Sequence, residues 1–158
     1  MHLRDELKLS KSPDPGHEVA LAILLTREYV ARLQDKEVFG RSEISDQQYN
    51  VLRILKGGPK EGYLIKDLRC RMIFRFADVP RLVNRLVAQK LVTRTPCPHD
   101  RRGSMIRITD KGLSVEAKVR EHLEVLTRKL DRSLSPAERE QLLMLMERLR
   151  DDFREQLG

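Results

Sequence analysis

The stretch Pro96–Gly112, "PCPHDRRGSMIRITDKG", gathers Asp100, Arg101, Arg102 and Gly103 just ahead of a short alternating run and a helix start. A loop that merely joins two elements has no use for that much charge. Guanidinium groups make bidentate hydrogen bonds to phosphates, and a nearby carboxylate can hold one of them and fix the loop's shape. Upstream, Arg81, Asn84 and Arg85 recur at helical spacing. These side-chain types reach phosphates and base edges. The chemistry on offer is therefore the binding of a polyanion. A catalytic reading finds no Gly-rich phosphate loop, no nucleophile elbow, no His-Glu-x-x-His and no tuned carboxylate pair, so the chain is not expected to be an enzyme. His2, His17, His99 and His122 are scattered without ligand spacing, and no metal or other cofactor is expected.

The charge distribution points the same way. The 158-residue chain carries a formal charge of +7. Between Arg53 and Arg107 there are fourteen Lys or Arg against four Asp or Glu, whereas the rest of the chain holds seventeen basic and twenty acidic residues. One contiguous third thus contains all the excess positive charge, the footprint of a surface that meets nucleic acid. An anionic membrane is the weaker candidate, and a merely solvated charged face is the bland alternative. The longest apolar run, Val19 to Leu25, is too short to span a bilayer, and "MHLRDELKLSKSPDPG" has no apolar signal core. Cys70 and Cys97 make no disulfide framework, which suits a reducing, cytoplasmic setting. Cys70 reads as a small helix-packing residue. Cys97, flanked by Pro96 and Pro98 in basic surroundings, is a candidate redox switch, with an inert thiol as the alternative.

The elements that must position these side chains are well punctuated. A first helix starts at "DPG", with Asp14 as cap and Pro15 at its first position, and runs toward Gly40 with Val19, Ile23, Val30 and Leu33 on one stripe. A second starts at "SDQQ", where Ser45 and Gln48 form a capping box, and ends at "KGGP". A short third helix covers Leu64 to Arg71. "ADVPRLVNRLVAQKLV" is a fourth, capped by Asp78, with Val79, Leu82, Val83 and Leu86 as its buried stripe.

From Leu91 the period changes to two. "LVTRT" and "SMIRIT" predict an antiparallel hairpin, with a basic loop from Pro96 to Gly103 in which the glycine lets the chain turn back. Thr109 can cap the next helix, whose stripe is Val119, Leu123, Leu126 and Leu130, and "SPAE" opens the last with Ser135 and Glu138 as a second capping box. That last helix has a stripe of Leu142, Met146, Leu149, Phe153 and Leu157, which needs a wall. The simplest account joins the two ends of the chain in a helical dimer interface. An ordinary intrachain core is the alternative.

The expected fold is mainly α with a small antiparallel β-hairpin. Three helices followed by a hairpin is the order of a winged helix-turn-helix, here with N- and C-terminal dimerisation helices. The implied division is an N-terminal arm and dimerisation helix over 1–44, a DNA-binding domain over 45–109 and C-terminal dimerisation helices over 110–158. In that design the last helix of the trio lies in the major groove, and an arginine at the hairpin tip can enter a narrow minor groove.

"VPRLVNRLVAQKLVTR" followed by "DRRGSMIRITDKG" resembles the recognition helix and wing signature (Asp-x-Arg, then Leu-Thr-x-x-Gly) of the multiple-antibiotic-resistance regulator (MarR) family of bacterial transcription factors. The resemblance extends from Gly16 to the end. It implies a homodimer on a pseudo-palindromic operator, usually a repressor, released by a small phenolic or other anionic ligand or by oxidation. It sets Arg81 at the groove, Arg75 and Asp78 at the leading end of the recognition helix, Asp100 and Arg102 in the wing's salt bridge, and Arg101 as the minor-groove finger. Tyr29, Phe39, Tyr49 and Tyr63 would border a ligand cavity, though core packing explains them equally well. Four positions depart from the pattern: Ile108 replaces the common Leu, Arg69 a small buried residue, Pro80 a frequent Thr or Ser, and Lys90 a turn Gly. A basic helical interaction module for RNA, nonspecific DNA or a protein partner is the competing class.

Overall fold

The structure, a computed structural model, describes residues 3–97 and 100–157, with the side chains of Asp100, Arg101, Arg102 and Leu130 outside that description. Among the described residues seven α-helices, a 3-10 turn and three strands follow in the order α1 (Leu3–Glu6), α2 (Pro15–Glu37), the 3-10 turn (Phe39–Arg41), α3 (Asp46–Lys56), β1 (Tyr63–Leu64), α4 (Ile65–Arg71), α5 (Val79–Ala88), β2 (Val92–Cys97), β3 (Asp100–Ile108), α6 (Asp110–Ser133) and α7 (Pro136–Leu157). The fold is therefore mainly helical with one small antiparallel sheet, a winged helix-turn-helix. Two compact units are present, Met1–Arg120 and Glu121–Gly158.

The helix starts follow from their caps. The Asp14 carboxylate accepts the His17 N–H at 3.0 Å, and Asp78 accepts that of Arg81 at 3.1 Å. Both capping boxes close: Ser45 Oγ accepts the Gln48 N–H while Gln48 accepts the Ser45 N–H, and Ser135 and Glu138 do the same. Hydrogen bonds from the Ser135 side chain and from its backbone N–H hold the Glu138 carboxyl below the usual carboxylate range. Each cap satisfies N–H groups that an α-helix leaves without partners.

In the first unit α3, α4 and α5 pack on one another and on the sheet, burying Val51, Leu52, Leu55, Leu68, Val79 and Leu86. Asn50, itself buried, accepts the Ile73 N–H at 2.9 Å and so pins the start of the turn between α4 and α5. Glu116 of α6 is 1% exposed and receives Lys56 Nζ at 2.8 Å, an ion pair fastening the C-terminal end of α3 to α6. In contrast, neither α2 nor α7 has a buried residue. Val19, Leu24 and Leu33 of α2 and Leu142, Leu143, Met144 and Phe153 of α7 are exposed, so the core of this single chain does not use either stripe. Among the described residues no helix is long and apolar enough to cross a membrane.

The sheet departs from expectation in two ways. Its strand order is β1-β3-β2, with Tyr63 opposite Ile106 and Leu64 opposite Met105, so two residues read as the start of a helix form a third strand first. A two-residue strand is too short to show alternation. Furthermore, the expected loop from Pro96 to Gly103 is mostly ladder: Pro96 pairs with Ser104, Cys97 with Asp100, and an irregularity falls between Pro96 and Cys97. Gly103 sits inside β3 rather than at a turn. Proline is tolerated here because β2 is an edge strand and the irregularity relieves the register. Cys70 also differs from its reading as a packing residue. It is exposed, since Leu68 is the buried position of α4 and two residues further on turn a side chain away.

The turn out of α5 is a six-residue closure. The Leu91 N–H donates to the Leu86 carbonyl and the Lys90 N–H to that of Val87, both at 2.9 Å, with Lys90 at φ 61°. This pattern normally carries glycine at the left-handed position. The next turn of chain closes onto it. Thr109 donates its backbone N–H to the Leu91 carbonyl at 3.1 Å and its hydroxyl to that of Lys90 at 2.9 Å, while its Oγ1 accepts the Gly112 N–H at 3.0 Å. A Cβ at Gly112 would lie 2.1 Å from the Leu91 carbonyl oxygen. The Thr-x-x-Gly spacing is thus a packing requirement. Lys90→Gly should stabilise the chain by about 0.5–1 kcal/mol through relief of the left-handed strain, and Gly112→Ala should destabilise it by about 2 kcal/mol or more. Urea unfolding midpoints of the two variants, measured beside the parent, check both signs.

Candidate nucleic-acid interface

Helix α5 presents two faces. Val79, Leu82, Val83 and Leu86 are buried, while Arg81, Asn84 and Arg85 are exposed on the opposite side. The exposed face is free of carboxylates apart from the cap, Asp78, whose Oδ1 is committed to closing the helix. Pro80 lies in the first turn, where a missing N–H costs no hydrogen bond. Arg75, just before the helix, donates from Nη1 to the Cys70 carbonyl at 2.7 Å, which stretches its side chain back along α4.

The wing is tied to this face by a residue that sequence spacing does not mark. Arg94 of β2 donates from Nε to Ser104 Oγ at 3.0 Å and from Nη1 to Asn84 Oδ1 at 3.5 Å. It lies inside the motif "LVTR", yet nothing in strand alternation shows a side chain reaching across to a helix. Arg107 similarly donates to the Glu61 carbonyl at 2.8 Å, and Arg71 stacks its guanidinium 4.5 Å over the Tyr63 ring. These contacts fix the three strands against the helices and leave guanidinium edges at the surface. The proposed Asp100–Arg102 pair and Arg101 lie outside the described side chains. Cys97 is half-buried at the last position of β2.

A local sequence signature gives a family likeness. Residues 42–103, from the approach to α3 through the wing, match the MarR family model. Over those residues the chain is similar to the MarR family. Proteins of the MarR family are transcription regulators. Solved structures agree on the fold. The PcaV transcriptional regulator from Streptomyces coelicolor, in complex with its natural ligand, superposes with a TM-score of 0.77 at 22% identity, over 89% of this chain and 97% of that one. A mutant of MarR from E. coli, complexed with operator DNA, gives 0.71 at 20% identity over 87% and 99%. BpsR from Bordetella bronchiseptica, whose DNA binding is regulated by 6-hydroxynicotinic acid, gives 0.70 at 23% over 82% and 92%. No curated protein sequence matches the chain.

The chain also contains a cleft of about 510 Å³ between α2 and the start of α3, lined by Ala31, Asp35, Phe39, Glu43, Ile44 and Asp46 among others. Of the four aromatics expected beside a cavity, the structure brings only Phe39 to this lining, with the buried Tyr49 ring 6.1 Å behind it. Tyr63 holds Arg71 instead. Tyr29 is exposed and donates its hydroxyl to the Glu6 carboxylate, whose hydrogen bond and negative charge raise the phenol above its usual value.

The position of α5 depends on the turn before it, and that turn depends on Asn50. Asn50→Ala leaves the Ile73 N–H without its acceptor and should cost about 1–3 kcal/mol. Amide exchange at Ile73 should speed up in the variant more than at the core of α3, and equal acceleration at both sites would mean that Asn50 acts only on global stability.

Proposed function

We propose that the chain is a homodimeric, sequence-specific repressor that binds a pseudo-palindromic DNA operator in the cytoplasm. The observation that carries this reading is the division of α5, with an apolar face packed into the core and Arg81, Asn84 and Arg85 exposed beside a basic wing. In a winged helix-turn-helix that exposed face enters the major groove, with base contacts concentrated at the helix's leading end. Arg75 and Asp78 serve that end, and Arg81, Asn84 and Arg85 serve the groove. Arg101 and Arg102 serve the minor groove from the wing, with Asp100 holding Arg102.

Dimerisation is supported by the unburied stripes of α2 and α7. These have apolar side chains at helical spacing and no wall within the core of one chain. In the corresponding division, residues 1–44 and 110–158 make the dimer and 45–109 read DNA. Two-fold symmetry would then require two half-sites separated by about one helical turn of DNA. The cleft at Phe39 is the candidate effector site. Asp35, Glu43 and Asp46 on its lining repel a carboxylate, so of the two effector classes a neutral phenol suits it better than an organic anion.

The deciding experiment is fluorescence anisotropy on duplex DNA from upstream of the chain's own gene, against a scrambled duplex, across a salt series. The native duplex should bind about a thousandfold more tightly, with a steep fall of log affinity against log salt. Arg81→Ala should remove most of that preference. Equal, weak binding to both duplexes would leave the basic interaction module as the better account. Sedimentation at micromolar concentration should give the mass of two chains, and a monomer would remove the half-site argument.

A further inference from the structure

The turn between α4 and α5 displays an apolar side chain for which the reading above has no use. Phe76 is fully exposed, and Ile73, three residues earlier, is 69% exposed. Scattered exposed apolar residues are ordinary on a protein surface and need no explanation. This one differs because its backbone is fastened on both sides. The Ile73 N–H is held by Asn50, the Ala77 N–H donates to the Phe74 carbonyl at 3.1 Å, and the Val79 N–H donates to that of Ala77 at 3.0 Å. The turn from Phe74 to Ala77 thus turns one ring partly inward, the half-buried Phe74, and holds the other, Phe76, outward. A fastened turn pays little ordering entropy when its tip is later covered.

What covers it is indicated by its surroundings. Phe76 stands two residues before the Asp78 cap, at the end of α5 that leads into the groove in the proposed binding mode. The exposed Arg69, Arg71, Arg75 and Arg81 lie within seven residues of it in sequence. A purely apolar protein pocket would leave these arginines unmatched, whereas a polyanion surface that also offers apolar groups matches both features. DNA offers one such group in the major groove, the C5-methyl of thymine, and phenylalanine is among the side chains that contact it. We infer that Phe76 is a specificity-determining residue that packs on a thymine methyl at the edge of each half-site, with Ile73 widening the apolar contact. The inference rests on the DNA-binding reading and adds a base preference to it.

The test uses the full chain and duplexes that it enriches from a random-sequence pool. Each thymine of an enriched duplex is replaced in turn by deoxyuridine, which removes the methyl and keeps every hydrogen-bonding group. At one position or more per half-site the parent protein should bind about fourfold more weakly, the worth of one buried methyl group. Phe76→Ala should abolish that difference while leaving the deoxyuridine effect at other positions unchanged, and Phe76→Leu should retain most of it. Thermal unfolding of both variants should match the parent, since the ring makes no part of the core. Enrichment with no methyl-sensitive position, or a methyl effect that persists in Phe76→Ala, overturns this inference alone. Failure to enrich any sequence overturns the DNA-binding reading and the inference together.

Discussion

The carbonyl of Leu91 is the point on which the winged-helix part of this chain is assembled. It accepts the Thr109 N–H, and Gly112 lies so close that no side chain fits between them. The residue carrying it is itself set by the closure of α5, through the left-handed Lys90 and the bond from Leu91 to Leu86. Three elements therefore meet within a few ångströms: the end of the helix with the arginine face, the end of the wing and the start of α6. Because buried backbone groups must be paired, shifting any one of the three would orphan polar atoms of the other two. Lys111 adds a further link, donating from Nζ to the Gln89 carbonyl at 3.0 Å. The relative placement of α5 and the wing is consequently a property of packed backbone, with little left to flexible side chains.

A second set of polar contacts organises the opposite end of α3. Gln48, 7% exposed, donates to Gln89 Oε1 at 2.8 Å, and Gln89 donates in turn to the Glu43 carbonyl at 3.1 Å. One glutamine so serves both the Ser45 capping box and the end of α5. The same segment, residues 42–46, forms part of the wall of the Phe39 cleft. A molecule seated there would press on the segment whose carbonyl holds Gln89, giving a short physical route from the cleft to α5.

Much of this architecture was legible in the residues because its signals are local. Asp14, Ser45, Asp78, Thr109 and Ser135 all act as helix-starting side chains, and the apolar spacing in α5 marks its buried face in full. Lys90 was visible as a departure, and its positive φ is the physical content of that departure. What escaped is what depends on long-range pairing. Tyr63 and Leu64 become a strand only because β3 lies alongside, and the wing's ladder continues past Pro96 only because β2 is at an edge. Arg94 escaped for the same reason, since its partners Ser104 and Asn84 are each ten residues away in opposite directions. Cys70 shows the converse error, in which a residue type suggested burial that its helical phase does not allow.

The sheet's outer strands carry one more consequence. β1 is only two residues long, and β2, the other border, has Pro96 as its penultimate residue and an irregular register just after it. A very short strand, and a proline with an irregular register, are features that blunt a sheet border against strand pairing with another molecule. For a chain that displays so many leucines on α2 and α7, this matters during synthesis. Newly made copies that meet have exposed apolar helix surfaces through which to associate, and sheet borders ill suited to do so.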